Sequence, residues 1–450
     1  MQTNNRNYFL RNSLKFKWHQ ASVLSGKNFF LNADEIKKQL SIDLVSWQLP
    51  EQPFVAINLD RNPVSSIINL FRAVEGNFCF RLTPKPFPKG ENIKADHCSH
   101  AHDPSGSPPC FVVQTGGTTG PLKKILRLQS TWINSFLINR EIWSITSRDN
   151  FGILGDLTHS ISLYGLLEGL YLGTNVTLLG EWLPKSQLEE IATRKISILY
   201  ATPIQLQLLT RAFEIHKLKP ITSLRKIIVG GSKLTPNHVL KLKNLFPKGE
   251  IIEFYGTAET SFITIATTDS PQGSVGKAYE GVKIRVLNDR GEALPNGKIG
   301  NIEVTSPYVF EGYIDNGTLN PIQNDYFQTG ERGFLDQNGY LFLKGRRDRM
   351  ISIHDVNVHP EEVESFLTNI KGIEAAYVYS SSDRFETNHL YACLFINSFK
   401  PDINQVSSMC RRELGHNLTP RSFRLIDEKP PLLASGKLNL VAIQRMLETT

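Results

Sequence analysis

Residues 115–120 read Thr-Gly-Gly-Thr-Thr-Gly and are followed by Pro121, Leu122, Lys123 and Lys124. Glycines let a chain turn tightly and present bare N–H groups. Threonine hydroxyls and lysine ammonium groups add donors and positive charge. Together these make a cradle for a polyphosphate. Short apolar, strand-like runs flank the loop at 110–113 and 125–128. A Walker-type loop needs Gly-Lys-Ser/Thr opening a helix. Here Pro121 follows Gly120, and a second strand precedes the first helical spacing, expected over 131–143 with Ser130 as N-cap. The pattern predicts a phosphate loop in a hairpin. Taken alone, the same residues also suit a plain glycine-rich turn.

The surrounding pattern supplies the elements that would hold such a loop. Residues 54–59, 64–74 and 78–82 read strand, helix, strand, the signature of a parallel sheet. Residues 84–109, rich in Pro, Lys, His and Ser, read as a connection. Alternation resumes with a helix ending near 193, a strand at 196–200, a helix at 203–213 and strands at 226–229 and 251–255. After Gly276 come short strand-like runs with turns at 288–291 and 295–297. Beyond Arg349 a compact unit follows: a helix at 360–367, strands at 375–379 and 390–396, and a helix from Asn404. A chain of 450 residues exceeds one compact domain. The expected fold class is α/β, a large multi-sheet N-terminal domain (1–347) with parallel and distorted-barrel sheets and a small α+β C-terminal domain (348–450).

Composition narrows the function. Hydrophobic residues at 40% and charged residues at 21% suit a globular enzyme, and a net charge of +7 suits an anionic ligand. No dense Lys/Arg stripe interleaved with aromatics is present, so nucleic acid is not an expected partner. Five scattered cysteines argue against a disulfide framework and for a reducing compartment. The first 19 residues contain no apolar run. The apolar stretch 161–183 is broken by Glu168, Glu181 and glycines, and reads as a buried helix running into a strand, not a membrane span. A cytoplasmic location is expected. Asp96, His97, Cys98, His100, His102 and Asp103, with Cys110, have metal-ligand chemistry but the spacing of no zinc module, so a solvated loop is expected.

Further motifs follow the loop in order: Gly230-Gly231-Ser232, Phe254-Tyr255-Gly256-Thr257-Ala258-Glu259-Thr260, Gly276 in a Gly-Ser-Val-Gly context, Tyr326-Phe327-Gln328-Thr329-Gly330-Glu331, Gly345-Arg346-Arg347-Asp348 and Ala434-Ser435-Gly436-Lys437. In this order and spacing the chain resembles the acyl-adenylate-forming superfamily of acyl-CoA synthetases, adenylation domains and luciferases. The resemblance spans about 110–439, with a weaker echo from 54.

The resemblance implies that a carboxylic acid attacks the α-phosphorus of ATP, giving acyl-AMP and pyrophosphate, and that a nucleophile then takes the acyl group. It implies that Thr115, Gly116, Gly117, Thr118, Thr119, Gly120 and Lys123 hold the β- and γ-phosphates, and that Glu259 holds Mg²⁺. Tyr255 would stack on adenine within its Gly256-Thr257 motif, with Gly231 and Ser232 lining the base. Glu331 and Arg346 would fix the ribose, and Lys437 would bridge carboxylate and α-phosphate oxygens. His159 would lie near the acyl pocket, and Asp348 would be the hinge of a mobile C-terminal domain.

Four departures stand out. Ala258 replaces a usual hydroxyl residue, Glu331 replaces the usual Asp, the loop proline is shifted by one position, and His354-Asp355 replace two glycines common in CoA ligases. The implied acceptor is CoA; a carrier-protein phosphopantetheine or an amine is the alternative. A protein that binds nucleotide or acyl-adenylate without efficient catalysis is a further reading. Phe262, Ile263 and Ile265 after Glu259 point to a fatty or other apolar acid.

Overall fold

The computed structural model describes residues 23–26, 29–32, 34–36, 38, 54–58, 63–75, 79–83, 110–115, 123–180, 183–315, 318–353, 356–382, 388–396, 399–432 and 438–448. Val23–Gly26 (β1) and Phe29–Asn32 (β2) form an antiparallel pair. Phe54–Asn58 (β3), Pro63–Glu75 (α1) and Cys79–Thr83 (β4) form the expected βαβ unit, with β3 and β4 parallel. Along α1, Ile67, Ile68, Leu70, Phe71 and Val74 are buried, the spacing of one helical face.

Cys110–Thr115 (β5) pairs in parallel with β4 and antiparallel with Lys123–Leu128 (β6). The phosphate-loop residues therefore join adjacent antiparallel strands, as the sequence predicts. Strand β6 runs straight into Gln129–Ile142 (α2), whose N-cap is Leu128, so Ser130 lies inside the first turn and caps nothing. The Thr131 hydroxyl donates to the Leu128 carbonyl at 2.7 Å, fastening the first turn directly to the strand.

Asn150–Ile153 (β7), Ser160–Tyr171 (α3), Asn175–Leu178 (β8), Pro184–Thr193 (α4), Ile198–Ala201 (β9), Pro203–His216 (α5), Lys226–Gly230 (β10), Pro236–Leu245 (α6) and Glu250–Thr257 (β11) then alternate. Strands β7 to β11 pair in parallel. Proline opens α4, α5 and α6, where the missing N–H costs no hydrogen bond. Thr202 and Gln205 form a capping box at α5. All four residues of β9 are buried, which explains the unbroken apolar run there. Ser261–Ala266 (β12) and Lys277–Ala278 (β13) complete a nine-stranded sheet of order β13-β12-β11-β10-β9-β7-β8-β1-β2.

Lys283–Leu287 (β14), Gly300–Thr305 (β15), Gly312–Asp315 (β16), Thr318–Pro321 (β17), Phe327–Leu335 (β18) and Leu341–Arg346 (β19) divide between two sheets. Strands β16 and β17 extend the order β17-β16-β6-β5-β4-β3. The others pair as β14-β15-β18-β19, a linear antiparallel order where a distorted barrel was expected. Register shifts at Asn301/Glu303 and Arg332/Gly333 bend these strands locally.

A smaller sheet domain follows. Ile351–Ile353 (β20) pairs with Val356–Val358 (β21). Pro360–Thr368 (α7), Ile373–Ser382 (β22), Asn388–Ile396 (β23), Ile403–Leu414 (α8), Ser422–Ile426 (β24) and Leu440–Glu448 (α9) form a three-stranded sheet with helices packed on it. Val363, Leu367, Val406 and Cys410 pack with Val378 and Leu390, while Leu440 and Ile443 pack with Tyr377 and Phe395. Among the described residues, no helix is long and apolar enough to cross a membrane.

Candidate active site

The parallel strands end together, the usual place for a ligand in an open α/β sheet. Strand β10 leaves the sheet at Gly230, and Gly231 turns with φ +108°, where glycine is favoured. Ser232 beyond it is exposed. Gly230 registers against Phe254 on β11, which puts Tyr255 next to the Gly231–Ser232 turn. Burial pushes the Tyr255 phenol up first, the Glu331 carboxylate adds to it, and Thr329 and Arg346 oppose it. Glu331 and Arg346 are themselves cross-strand partners on β18 and β19. The residues expected at base and ribose thus converge.

Arg346 has a second partner. Its Nε and Nη2 donate to Asp348 Oδ1 and Oδ2 at 2.9 and 3.0 Å, a bidentate pair. That pair raises the guanidinium's pKa and lowers the carboxyl's. The residue expected at the ribose is held by the residue expected at the hinge, within the single 3₁₀ turn that follows β19.

Strand β11 ends in a bulge at Tyr255/Gly256. A Cβ at Gly256 would stand 1.7 Å from the Ser261 carbonyl oxygen, so only glycine fits. The Thr257 N–H donates to Thr260 Oγ1 at 3.1 Å, and the two hydroxyls are also 3.1 Å apart. Thr260 is buried, and its hydroxyl is consumed inside the turn. It is therefore unavailable to replace the hydroxyl that Ala258 lacks.

Glu259 sits at the tip of this turn. Its Oε1 accepts from the Tyr313 hydroxyl at 3.0 Å, and among the described residues no hydrogen bond reaches Oε2. A partly buried carboxylate with one oxygen held and the other open fits a hard divalent cation. Burial, then the adjoining Glu259, push the Tyr313 phenol up, which keeps it protonated as a donor. Lys123 Nζ lies 5.2 Å from the centroid of the same Tyr313 ring. Tyr313 therefore touches both the lysine expected on phosphate and the carboxylate expected on metal.

Other expected residues are placed differently. Thr115 ends β5 in register with Lys123. His159 precedes α3 as its backbone N-cap, with no side-chain cap, and its N–H donates to the Asp156 carbonyl at 3.1 Å. Phe262 and Ile263 are core residues, 2% and 0% exposed, with Phe262 packed on Phe254, Tyr164 and Tyr279. They fill the interior, so they give no argument for an apolar acid. Gly116, Gly117, Thr118, Thr119, Gly120, His354, Asp355, Lys437 and the 96–103 cluster lie outside the described residues.

Two groups escaped the motif reading. Arg127 is fully buried and bonded to the Glu259 turn. Glu168 is fully buried within α3 and accepts from Asn139 Nδ2 at 2.7 Å and from the Tyr200 hydroxyl. Burial pushes its carboxyl up to about 8, against the lowering effect of those two donors. The only signal for either was a lone charge inside an apolar run.

The residues expected at adenine, ribose, phosphate and cation come from three sheets, and a small sheet domain follows, the arrangement expected of the adenylate-forming class of enzymes. The family model described as AMP-binding enzyme matches residues 56–314, and the chain belongs to that family. It is similar to YhfT of Bacillus subtilis, an uncharacterized acyl-CoA ligase, at 29% identity over 80% of this chain and 74% of that one. It is also similar to VraA of Staphylococcus epidermidis, provisionally named a long chain fatty acid-CoA ligase, at 28% identity over 82% and 83% of the two chains. The fold matches the ATP-bound MatB of Rhodopseudomonas palustris with a TM-score of 0.81, 18% identity and coverage of 98% and 99%. It matches the amide bond synthetase McbA of Marinactinospora thermotolerans with a TM-score of 0.79, 19% identity and the same coverage.

Proposed function

We propose that this protein activates a carboxylic acid with ATP and transfers the acyl group to CoA. The observation that carries this reading is the convergence of Tyr255, Glu331 and Arg346 beside the Glu259–Tyr313–Lys123 group. In the first step a carboxylate oxygen bonds to the α-phosphorus and the bond to pyrophosphate breaks. Lys123, with Thr115, Thr118, Thr119 and the loop glycines, would hold the phosphates on which that charge gathers. Glu259 would hold Mg²⁺ through its open oxygen, and the ion would neutralise phosphate charge. Lys437 would stabilise the charge shared between carboxylate and α-phosphate. In the second step a thiol sulfur bonds to the acyl carbon, its proton is lost, and AMP leaves.

We place the boundary between the domains at 347/348, with Asp348 as the hinge. The exposed Arg346–Asp348 pair supports this, because water can replace it when the backbone turns. A fatty acid as substrate is supported by the name of VraA. The buried thiols Cys110, Cys393 and Cys410 and the nucleotide chemistry favour action in the cytoplasm. His354 and Asp355, in place of glycines, favour a second reading in which a carrier-protein thiol or an amine is the acceptor.

The test is ATP–pyrophosphate exchange with Mg²⁺ over fatty, aromatic and amino acids, followed by transfer of the acyl group to CoA. Exchange with one acid class and formation of its thioester are expected. No exchange with any acid by folded, ATP-binding protein would leave a nucleotide-binding protein in place of an enzyme.

A further inference from the structure

Arg127 lies on β6, the strand that leaves the phosphate-loop residues, and its side chain is completely buried. Its Nη1 donates to the carbonyls of Ala258 at 2.5 Å and Glu259 at 3.1 Å. Its Nη2 donates to Ser261 Oγ at 2.8 Å, to Thr131 Oγ1 at 3.4 Å and to the Tyr308 carbonyl. Trp132, 5.8 Å from the guanidinium by its ring centroid, donates to the same Ser261 Oγ at 3.1 Å. Among the described residues, no carboxylate lies within 4.0 Å of this cation; Glu259 and Glu311 act on it only from farther away.

Burying a guanidinium without an ion pair is unfavourable, so its hydrogen bonds must offset the lost hydration. An apolar residue of similar size would take a donor from three backbone carbonyls and leave that of Glu259 only the Phe310 N–H. Arginine's rigid fork also sets how far apart those carbonyls stand, which lysine's single ammonium cannot do. The bonds converge on one place. The Glu259 carbonyl also accepts from the Phe310 N–H at 2.8 Å, and the Glu311 N–H donates to the Leu126 carbonyl at 2.9 Å. The Tyr313 hydroxyl holds Glu259 Oε1. The Glu259 turn, the segment from Tyr308 to Tyr313 and the strand beginning at Lys123 therefore form one unit, with Arg127 at its centre.

We propose that Arg127 is a positioning residue for adenylation, fixing the turn at 257–261 against β6 so that the Glu259 carboxylate and the Lys123 ammonium meet a metal-bound polyphosphate at a set separation. This rests on the function proposed above, in which Glu259 holds the metal. Arg127 acts through backbone carbonyls and touches neither nucleotide nor metal.

The test compares wild type, Arg127→Lys, Arg127→Met, Tyr313→Phe and the Arg127→Lys/Tyr313→Phe double variant. Exchange is measured against Mg²⁺, ATP and acid concentration, with thermal unfolding alongside. Arg127→Lys keeps the charge and loses the fork. It is expected to raise the Mg²⁺ concentration for half-maximal exchange by about 10- to 100-fold, as loss of a metal ligand's supporting partner does, with the KM for acid little changed. Because both positions act on one carboxylate, the double variant should lose less than the product of the single losses. A merely structural role would lower the unfolding midpoint and active fraction and leave the Mg²⁺ requirement unmoved. A folded Arg127→Lys with wild-type Mg²⁺ dependence overturns the proposal, whether or not Arg127→Met folds. If wild type shows no exchange, the enzymatic reading fails by itself. Calorimetric binding of Mg·ATP then decides on Arg127: weaker binding in Arg127→Lys supports it, and equal or absent binding overturns it.

Discussion

The large domain and the proposed hinge at Asp348 handle charge in opposite ways. In the large domain, Arg127 and Glu168 are fully buried and held by fixed neutral partners: carbonyls and hydroxyls for one, an amide and a phenol for the other. Burial moves both toward neutrality, Arg127 down to about 9 and Glu168 up to about 8. At the hinge, Arg346 and Asp348 pair with side chains 44% and 51% exposed, and Lys344 meets Glu362 at 2.8 Å. There the pairing strengthens ionisation of Arg346 and Asp348. A buried polar group has no water to fall back on, so its partners are locked in place. An exposed pair exchanges with water at little cost. The first arrangement suits a site that must keep its geometry, the second a joint that must turn.

The strongest way to break this contrast is at Glu168, which faces Asn139 and Tyr200 and shares α3 with Tyr164, itself bonded to Asn139. Its carboxyl holds its proton to about 8 in the folded chain and to about 4.5 when unfolded. Between those values the native state binds more protons, so its contribution to stability is full below the lower value and is lost as pH rises through the upper one. The total is on the order of a few kcal/mol at about 1.4 kcal/mol per pKa unit. Urea unfolding from pH 5 to 9 should show wild type losing stability relative to Glu168→Gln as pH rises, with the relative loss levelling off above about 8. Parallel curves would remove the buried acid from the comparison.

Lys437→Ala tests the role proposed for that lysine. Exchange should fall by roughly 100-fold or more, with the unfolding midpoint unchanged, because the proposed role is to meet charge that develops only during reaction. Rates within a few-fold of wild type would remove it from the chemistry. Glu331→Asp should alter the KM for ATP by only a few-fold, since in the proposed role either carboxylate would reach a ribose hydroxyl; a large change would mean that the longer side chain sets the local geometry. The smallest effect on stability belongs to the hinge. Asp348→Ala should shift it by about 0.5 kcal/mol or less, the scale of an exposed pair, while changing the ratio of transfer to adenylation rates. A loss of several kcal/mol would show the hinge to be as fixed as the interior.

The sequence carried the frame of the molecule and the glycine-marked parts of the site. The run α4, β9, α5, β10 and β11 was legible because period and punctuation are local: Pro203 opens a helix, and Gly230-Gly231 closes a strand. Tyr255 and Gly256 were legible through their motif, and at Gly256 the structure supplies the reason, a bulge that admits no Cβ. The cap of α2 was misplaced because Thr131 bonds back to the strand, an effect that Ser130's preference for N-cap positions could not reveal. The expected barrel became a linear sheet because register shifts and strand order are decided by pairing partners distant in sequence.

By itself, the sequence determined a candidate polyphosphate cradle of hydroxyls, glycines and lysines, and its ordered motifs implied the class of chemistry through their resemblance to a known superfamily. Tertiary structure alone decided which charges those groups would meet. Arg127 reaches Ala258 across 131 residues, and Glu168 meets Tyr200 across 32. It also decided that Thr260 is spent inside its own turn and that Phe262 is core and not pocket wall. The physical reason is that burial and hydrogen-bond partnership belong to pairs of distant segments. Residue type states what a group can donate or accept, and only the packed chain determines what stands within reach.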